Sequence, residues 1–369
     1  MNVKKLNINN FRNIEHMELE PSEGINIIFG ENAQGKTNLI ENIWLFSGFR
    51  SFRGSKDNDL IRFGEDFLRT DMDFYGGGRN QNAKLIISRQ QKKILLNQVP
   101  LTAASKLIGN FNCVVFAPSY LSLVKGNPSE RRKFLDSALC QFKPFYAKLL
   151  TDYNKILIQR NSLLKELKFN NKNYEFLEIW NENMAVKTAQ IIGERVKYLR
   201  MLTETASEIY SGLSRNKENL TLEYMLKVST NRYEKITDEN SIDIDRIREI
   251  IKQSENSDIL YGTTNVGSHR DEVNIKIDGI SAKNFGSQGQ QRSSALALKL
   301  GEAEILKEIT GERPVALLDD VMSELDVHRQ DYILNHIRDW QVFITCCEPS
   351  TVLRLYDGKT FEIRNGRII

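Results

Sequence analysis

The stretch Gly24-Ile25-Asn26-Ile27-Ile28-Phe29-Gly30-Glu31-Asn32-Ala33-Gln34-Gly35-Lys36-Thr37 decides the fold. Its first six residues read as a strand, and Leu39, Ile40, Ile43 and Phe46 then recur at helical spacing, which predicts a helix from Lys36 to about Phe46. Between them, Gly30 to Thr37 fits G-x-x-x-x-G-K-[ST]. Glycines let a backbone wrap an anion, and successive N–H groups and the helix N-terminus point at it. Lys36 would reach the β and γ oxygens of a nucleoside triphosphate such as ATP, and Thr37 can ligate Mg²⁺. Gly30, Glu31, Asn32, Ala33, Gln34, Gly35, Lys36 and Thr37 are therefore candidate nucleotide contacts.

A phosphate loop needs a carboxylate at the end of another buried strand, where metal and attacking water are held beyond the γ-phosphate. Val315-Ala316-Leu317-Leu318 is a continuous apolar run typical of a buried parallel strand, and Asp319-Asp320 follows it. Asp319 is the candidate metal ligand with Thr37. Asp320 is placed to orient or deprotonate the water, so Lys36, Asp319 and Asp320 form the candidate catalytic set. Val342-Phe343-Ile344-Thr345 predicts a further buried strand.

The rest of the chain bounds this reading. It has 369 residues, 51 basic against 48 acidic side chains and 40% hydrophobic residues, which excludes a disordered or disulfide-stapled protein. A net charge of +3 permits a basic patch without requiring one. No apolar run is long enough to span a membrane and no signal-type segment opens the chain, so the expectation is a cytoplasmic protein with no membrane partner. The four cysteines, 113, 140, 346 and 347, lack zinc spacing and read as buried reduced thiols.

Strand texture marks the two ends. Val3 to Ile8 alternates, and Leu68 to Phe74, Leu85 to Ile87 and Ile94 to Leu96 read as antiparallel strands, with Gly76 to Asn80 as a turn. Glu130 to Leu167 and Phe176 to Ser211 are long helical patterns, separated by Asn170-Asn171-Lys172-Asn173. A short strand follows at Leu220 to Tyr224, then a polar, mobile, helical or irregular stretch is expected from Asp238 to Ser257. The fold class is thus α/β with an inserted, mainly helical domain: residues 1–128 and 258–369 make the ATPase head and 129–257 the insertion.

Two more elements narrow the class. Phe285-Gly286-Ser287-Gln288-Gly289-Gln290-Gln291-Arg292 opens a helix and resembles the ABC signature Leu-Ser-Gly-Gly-Gln-Gln-Arg, with Gln288 replacing one glycine. Ser323-Glu324-Leu325-Asp326 follows the paired aspartates at D-loop spacing. That likeness implies an ABC-type P-loop ATPase head with a mixed sheet. With Phe11-Arg12-Asn13, Lys125-Gly126, Arg131-Arg132-Lys133-Phe134-Leu135-Asp136 and His269-Arg270-Asp271 added, nearly the whole chain resembles the RecF family, related to the heads of SMC-type ATPases.

That resemblance implies an ATP-dependent head-to-tail homodimer in which Ser287, Gly289, Gln290 and Asp326 of one copy complete the nucleotide pocket of the other. It implies weak, DNA-stimulated ATP hydrolysis and work with RecO and RecR at gap junctions in duplex and single-stranded DNA, leading to RecA loading. Arg53 is the expected nucleotide-linked arginine, although a cation capping the preceding helix is the plainer role. Thr345 stands where ABC transporters carry a switch histidine.

Arg131, Arg132 and Lys133 are the candidate DNA contacts, continued by Lys143, Lys148, Lys155, Arg160 and Lys165, and a solvated helix face explains the same charges. His269-Arg270-Asp271 is not a kinase loop, because Lys276 stands where the asparagine is required; it is either a structural cluster or part of the nucleotide or DNA face. A soluble ATPase subunit of an ABC-type transporter and a nucleotide-gated assembly protein without DNA contact are the competing classes.

Overall fold

The computed structural model describes residues 1–170, 173–238, 242–349 and 358–369. Residues 171–172, within the expected helix separator, and 239–241, within the expected polar stretch, lie outside them. The chain forms two compact units, one of Met1–Tyr120 with Lys299–Ile369 and one of Leu121–Leu298.

The first unit opens with β1 (Asn2–Phe11), β2 (Ile14–Leu19), β3 (Ile25–Phe29) and α1 (Lys36–Leu45), then β4 (Phe67–Gly76), β5 (Arg79–Ser88), β6 (Lys92–Leu96), β7 (Val99–Leu101) and β8 (Cys113–Phe116). An antiparallel sheet runs β2-β1-β4-β5-β6-β7. In β4 every second residue is buried, and the β4–β5 turn uses Gly77 and Gly78 at φ 62° and 73°, the left-handed pair that a two-residue hairpin requires.

In the second unit, α2 (Leu121–Lys125), α3 (Pro128–Phe142), α4 (Pro144–Leu167) and α5 (Glu175–Ser214) come first. The single helical pattern expected over 130–167 is two helices, because Pro144 cannot continue the one before it. Next come β9 (Leu220–Ser229), β10 (Arg232–Ile236), α6 (Ile244–Tyr261), β11 (Glu272–Ile277), β12 (Ile280–Ser281), α7 (Ala282–Phe285) and α8 (Gln288–Thr310), whose last part belongs to the first unit. The boundaries expected at 129 and 257 both move outward. β9 pairs antiparallel with β11, from Leu220↔Ile277 to Met225↔Glu272, which ties the residues after 257 to this unit's sheet, β10-β9-β11-β12.

Two fully or nearly buried ion pairs brace its helices. Arg160 meets Asp258 at 2.8 Å with both side chains wholly buried, and Arg195 meets Asp136 at 2.8 Å. The polar stretch expected after Asp238 is mostly the ordered helix α6, capped by the Asp243 side chain and ended by Gly262 at φ 64°.

Back in the first unit lie β13 (Val315–Asp319), α9 (Val327–His336), β14 (Val342–Cys346), β15 (Lys359–Arg364) and β16 (Arg367–Ile368). They complete a mixed sheet, β16-β15-β3-β14-β13-β8, in which β15, β3, β14, β13 and β8 run parallel. Every residue of β13, β14 and β8 is buried, as expected of parallel strands covered on both faces. Leu39, Ile40 and Ile43 of α1 join Val315, Leu317 and Phe343 in one hydrophobic core. The ends of β3, β13 and β14 are thereby fixed side by side, where ligands bind in open parallel sheets.

Candidate functional site

Gly30 and Gly35 set the shape of the loop between β3 and α1. Their φ values are 147° and 117°, and a Cβ would stand 2.3 Å from the Ile363 carbonyl oxygen at Gly30 and 2.8 Å from Asn13 Oδ1 at Gly35. Neither position accepts a side chain. Asn13 Nδ2 donates to the carbonyls of Gln34 (3.1 Å) and Ala33 (3.4 Å), while Asn38 Nδ2 donates to Asn13 Oδ1 at 2.7 Å. From the β15–β16 turn, the Gly366 N–H donates to the Gln34 carbonyl and the Asn365 N–H to Gln34 Oε1, at 2.9 and 2.6 Å. Gln34 therefore serves as a brace of the loop. Ala33 holds a left-handed φ of 64°, and Glu31, Asn32 and Ala33 are exposed.

Lys36 is nearly buried, and its ammonium donates to the carbonyls of Gly30 (2.5 Å) and Glu31 (2.8 Å). A cation held over the loop mainly by neutral carbonyls can transfer to phosphate oxygens at little cost. Thr37 Oγ1 donates to Asp319 Oδ1 at 2.8 Å, and Thr345 Oγ1 reaches the same oxygen at 2.9 Å. Burial pushes the Asp319 carboxyl above its ordinary range, the nearby Asp320 adds to this, and the two hydroxyls and Arg53 oppose it. A hydroxyl and a carboxylate meeting beside a phosphate cradle are the hard oxygen donors that Mg²⁺ takes, so these residues fit that ion. Asp320 sits at φ 53°, its N–H donates to Thr345 Oγ1 (2.8 Å), and the single Ser323 hydroxyl proton is shared between its carbonyl and carboxylate oxygens (2.9 and 3.0 Å).

Within α1, Glu41 is a wholly buried carboxylate. Arg12 takes it in a fork, Nε at 2.7 Å and Nη2 at 2.8 Å, and Ser51 Oγ also donates to it. Arg53 Nη1 donates to Asn38 Oδ1 at 3.0 Å and lies 3.6 Å from Glu41, with the side chain 43% exposed. Arg12 and Asn13 join the site with no signal in the sequence beyond their place in Phe11-Arg12-Asn13. The cysteine expectation is also amended: three thiols are buried, but Cys347 is exposed, with its Sγ 4.0 Å from Lys36 Nζ and 3.3 Å from Asn32 Oδ1. Asp326 caps α9, accepting from the Arg329 N–H at 3.0 Å and pairing with its guanidinium.

Ser287, Gly289 and Gln290 belong to the second unit and make a capping box at the start of α8. The Ser287 N–H donates to Gln290 Oε1 at 2.8 Å, and the Gln290 N–H to Ser287 Oγ at 3.3 Å. Ser287 is exposed.

Two of the three expected DNA contacts are turned inward. Arg131 is buried, forked onto Glu272 at 2.7 Å through both Nε and Nη2, with Nη1 on the carbonyls of Leu123 and Gly126. Arg132 is half-buried and donates to the Asp271 carbonyl at 2.6 Å. Lys133 alone is well exposed. Arg160 leaves the proposed basic face for the core, as its pairing with Asp258 requires.

His269-Arg270-Asp271 is a structural cluster of the second unit. His269 Nε2 faces the Thr264 carbonyl (3.2 Å) and Nδ1 the Tyr153 hydroxyl (2.6 Å), a pair that assigns the proton to Nε2. Burial drives its pKa down to about 3. Asp271 accepts from Tyr224 Oη (2.7 Å) and the Lys227 N–H (2.9 Å), and burial raises it to about 6.

The AAA domain family matches residues 5–326. The DNA replication and repair protein RecF of Clostridium acetobutylicum is 39% identical over 372 residues, covering 100% of this chain and 99% of that protein. Its Bacillus mycoides counterpart is 39% identical over 376 residues, with 100% and 98% covered. Among solved structures, the recombination mediator protein RecF-ATPrS in the RecFOR pathway is similar at a TM-score of 0.90 and 37% identity, covering 100% of this chain and 97% of that one. A Pyrococcus furiosus Smc head domain, at 16% identity and a TM-score of 0.57 with 100% and 95% covered, shares the fold. Among the described residues no helix is long and apolar enough to cross a membrane. With such relatives along its whole length, and with this phosphate loop beside an acidic strand end, the chain belongs to the RecF family of DNA replication and repair proteins, built on an ABC-type ATPase head.

Proposed function

We infer that the protein binds ATP with Mg²⁺, closes into a head-to-tail homodimer around two nucleotides, and hydrolyses them slowly to reset a clamp on DNA in the cytoplasm. Work with RecO and RecR at gaps, leading to RecA loading, belongs to the same reading. The observation that carries it is the meeting of Lys36, Thr37 and Asp319 at one loop, with Asp320 next in the chain. Relatives solved as RecF-ATP and RecF-ATPrS support the choice of nucleotide.

Lys36 would exchange its carbonyl partners for β and γ oxygens, and the loop N–H groups would hold the β-phosphate. Thr37 and Asp319 would hold Mg²⁺, which when bound neutralises charge on the phosphates. Asp320, with its backbone pinned, orients the attacking water and accepts its proton. Ser287 Oγ and the Gly289 N–H from the second copy would close over the γ-phosphate, and Asp326 would lie at the same interface. Because Arg131 and Arg132 are engaged internally, DNA phosphates fall to exposed lysines such as Lys133 and Lys148, a contact that is salt-dependent and sequence-tolerant.

The test is molar mass by light scattering with and without ATP and Mg²⁺, for the wild type and Ser287→Arg, followed by titration of gapped DNA. ATP-dependent dimerisation lost in Ser287→Arg, with tighter DNA binding by the nucleotide-bound wild type, is the expected result. A monomer throughout, or a dimer indifferent to nucleotide, would overturn the shared-site clamp.

A further inference from the structure

Asp319 on β13 and Thr345 on β14 are direct partners in the parallel register. Thr345 is 1% exposed, and its hydroxyl makes two bonds of opposite sense, donating to Asp319 Oδ1 and accepting the Asp320 N–H. A hydroxyl carries one proton, and this arrangement spends it on the carboxylate while the lone pairs serve the amide. The threonine is β-branched and sits in a strand buried along its length, so the hydroxyl has little freedom to turn elsewhere.

Asp320 needs such a hold. A left-handed φ is sparsely populated by residues other than glycine and persists where the surroundings over-determine it. Here the Asp320 N–H is fixed by Thr345, and its carbonyl and carboxylate by Ser323. The same hydroxyl therefore touches both acidic residues, one at the oxygen shared with Thr37 and the other at the backbone.

The geometry points to Thr345 as a positioning residue for ATP hydrolysis, one hydroxyl setting both the Asp319 oxygen that Thr37 also meets and the backbone from which Asp320 would reach the water. This rests on the ATPase reading above. Valine at this position keeps the shape and loses both bonds, whereas serine keeps both with a looser rotamer.

The experiment uses the full chain as wild type, Thr345→Val, Thr345→Ser and Lys36→Ala. It measures ATP turnover and the equilibrium affinity for a fluorescent ATP analogue with and without Mg²⁺. Thr345→Val is expected to lose about tenfold in kcat, with KM and metal-free binding within about twofold of wild type, and to lose most of the Mg²⁺-dependent gain in affinity. Thr345→Ser should restore most of both. If Thr345→Val does not fold, Thr345→Ala carries the same expectation. Turnover by the folded valine or alanine variant within about twofold of wild type would overturn the inference, as would a loss of equal size in metal-free binding or one that serine does not relieve. Wild-type turnover no higher than that of Lys36→Ala would instead defeat the ATPase reading itself.

Discussion

Arg131 is forked onto Glu272, each of two guanidinium nitrogens standing 2.7 Å from a carboxylate oxygen, while Lys133, two positions later on the same helix, is well exposed and pairs at the surface with Glu130 at 3.0 Å. Two residues apart on an α-helix is about 200° of rotation, so one end of a basic run faces the core and the other faces water. Removing one partner of a buried pair strands the other charge. Arg131→Met should therefore cost about 3 kcal/mol of stability, read by urea unfolding. Lys133→Glu should leave that stability nearly unchanged while weakening DNA binding and reducing its salt slope by about one. The opposite assignment of effects would return Arg131 to the DNA face.

Binding and turnover should separate between Lys36 and Asp320. Lys36→Ala removes the cation over the loop and is expected to abolish ATP binding in a fluorescence titration. Asp320→Asn keeps the left-handed backbone that asparagine tolerates, so nucleotide and dimer should survive while hydrolysis falls. Rapid turnover by Asp320→Asn would remove Asp320 from its role.

Gly35→Ala tests the loop without touching charge. The new methyl would meet Asn13 Oδ1 at a φ of 117°, so Asn13 must let go of the loop. A loss of about tenfold or more in ATP affinity is expected, with the overall circular dichroism spectrum retained. Unchanged affinity would show that the brace from Asn13 is dispensable.

The second unit should carry a hidden pH dependence. His269 has its pKa lowered to about 3 from 6.5, so it takes up a proton on unfolding, and the stability it contributes above pH 6.5 is lost as pH falls towards 3. Asp271, raised to about 6 from 3.8, has the opposite sign: its contribution is full below 3.8 and is lost as pH rises through 6. Between pH 4 and 6 the two nearly cancel. In His269→Gln only Asp271 remains, so that variant should gain stability relative to wild type on acidification from pH 6 to 4, measured as urea midpoints. A constant difference across that window would mean that His269 is not neutral in the fold.

The phosphate loop, the strands at 315–318 and 342–345 and the opening of α8 are legible because each is written in neighbouring residues. Pairings are not. Nothing local announces that Glu272 to Ile277 will join Leu220 to Met225, so the expected insertion stops short of β11. Thr345 could be placed at a strand end, but its contact with Asp319 depends on a register between strands 26 positions apart. Arg131, Arg132 and Arg160 show the same limit for charge, since sequence reports its sign and not which way it faces.

The brace between Gln34 and Asn365 joins positions 331 residues apart. A ribosome making this chain releases the nucleotide loop long before its backing, because Ile363, Asn365 and Gly366 must all emerge before Gly30 and Gln34 find their partners. The finished cradle is thus delayed until the β15–β16 turn has emerged, and a nascent chain that stops short of that turn lacks the backing of Gly30 and Gln34.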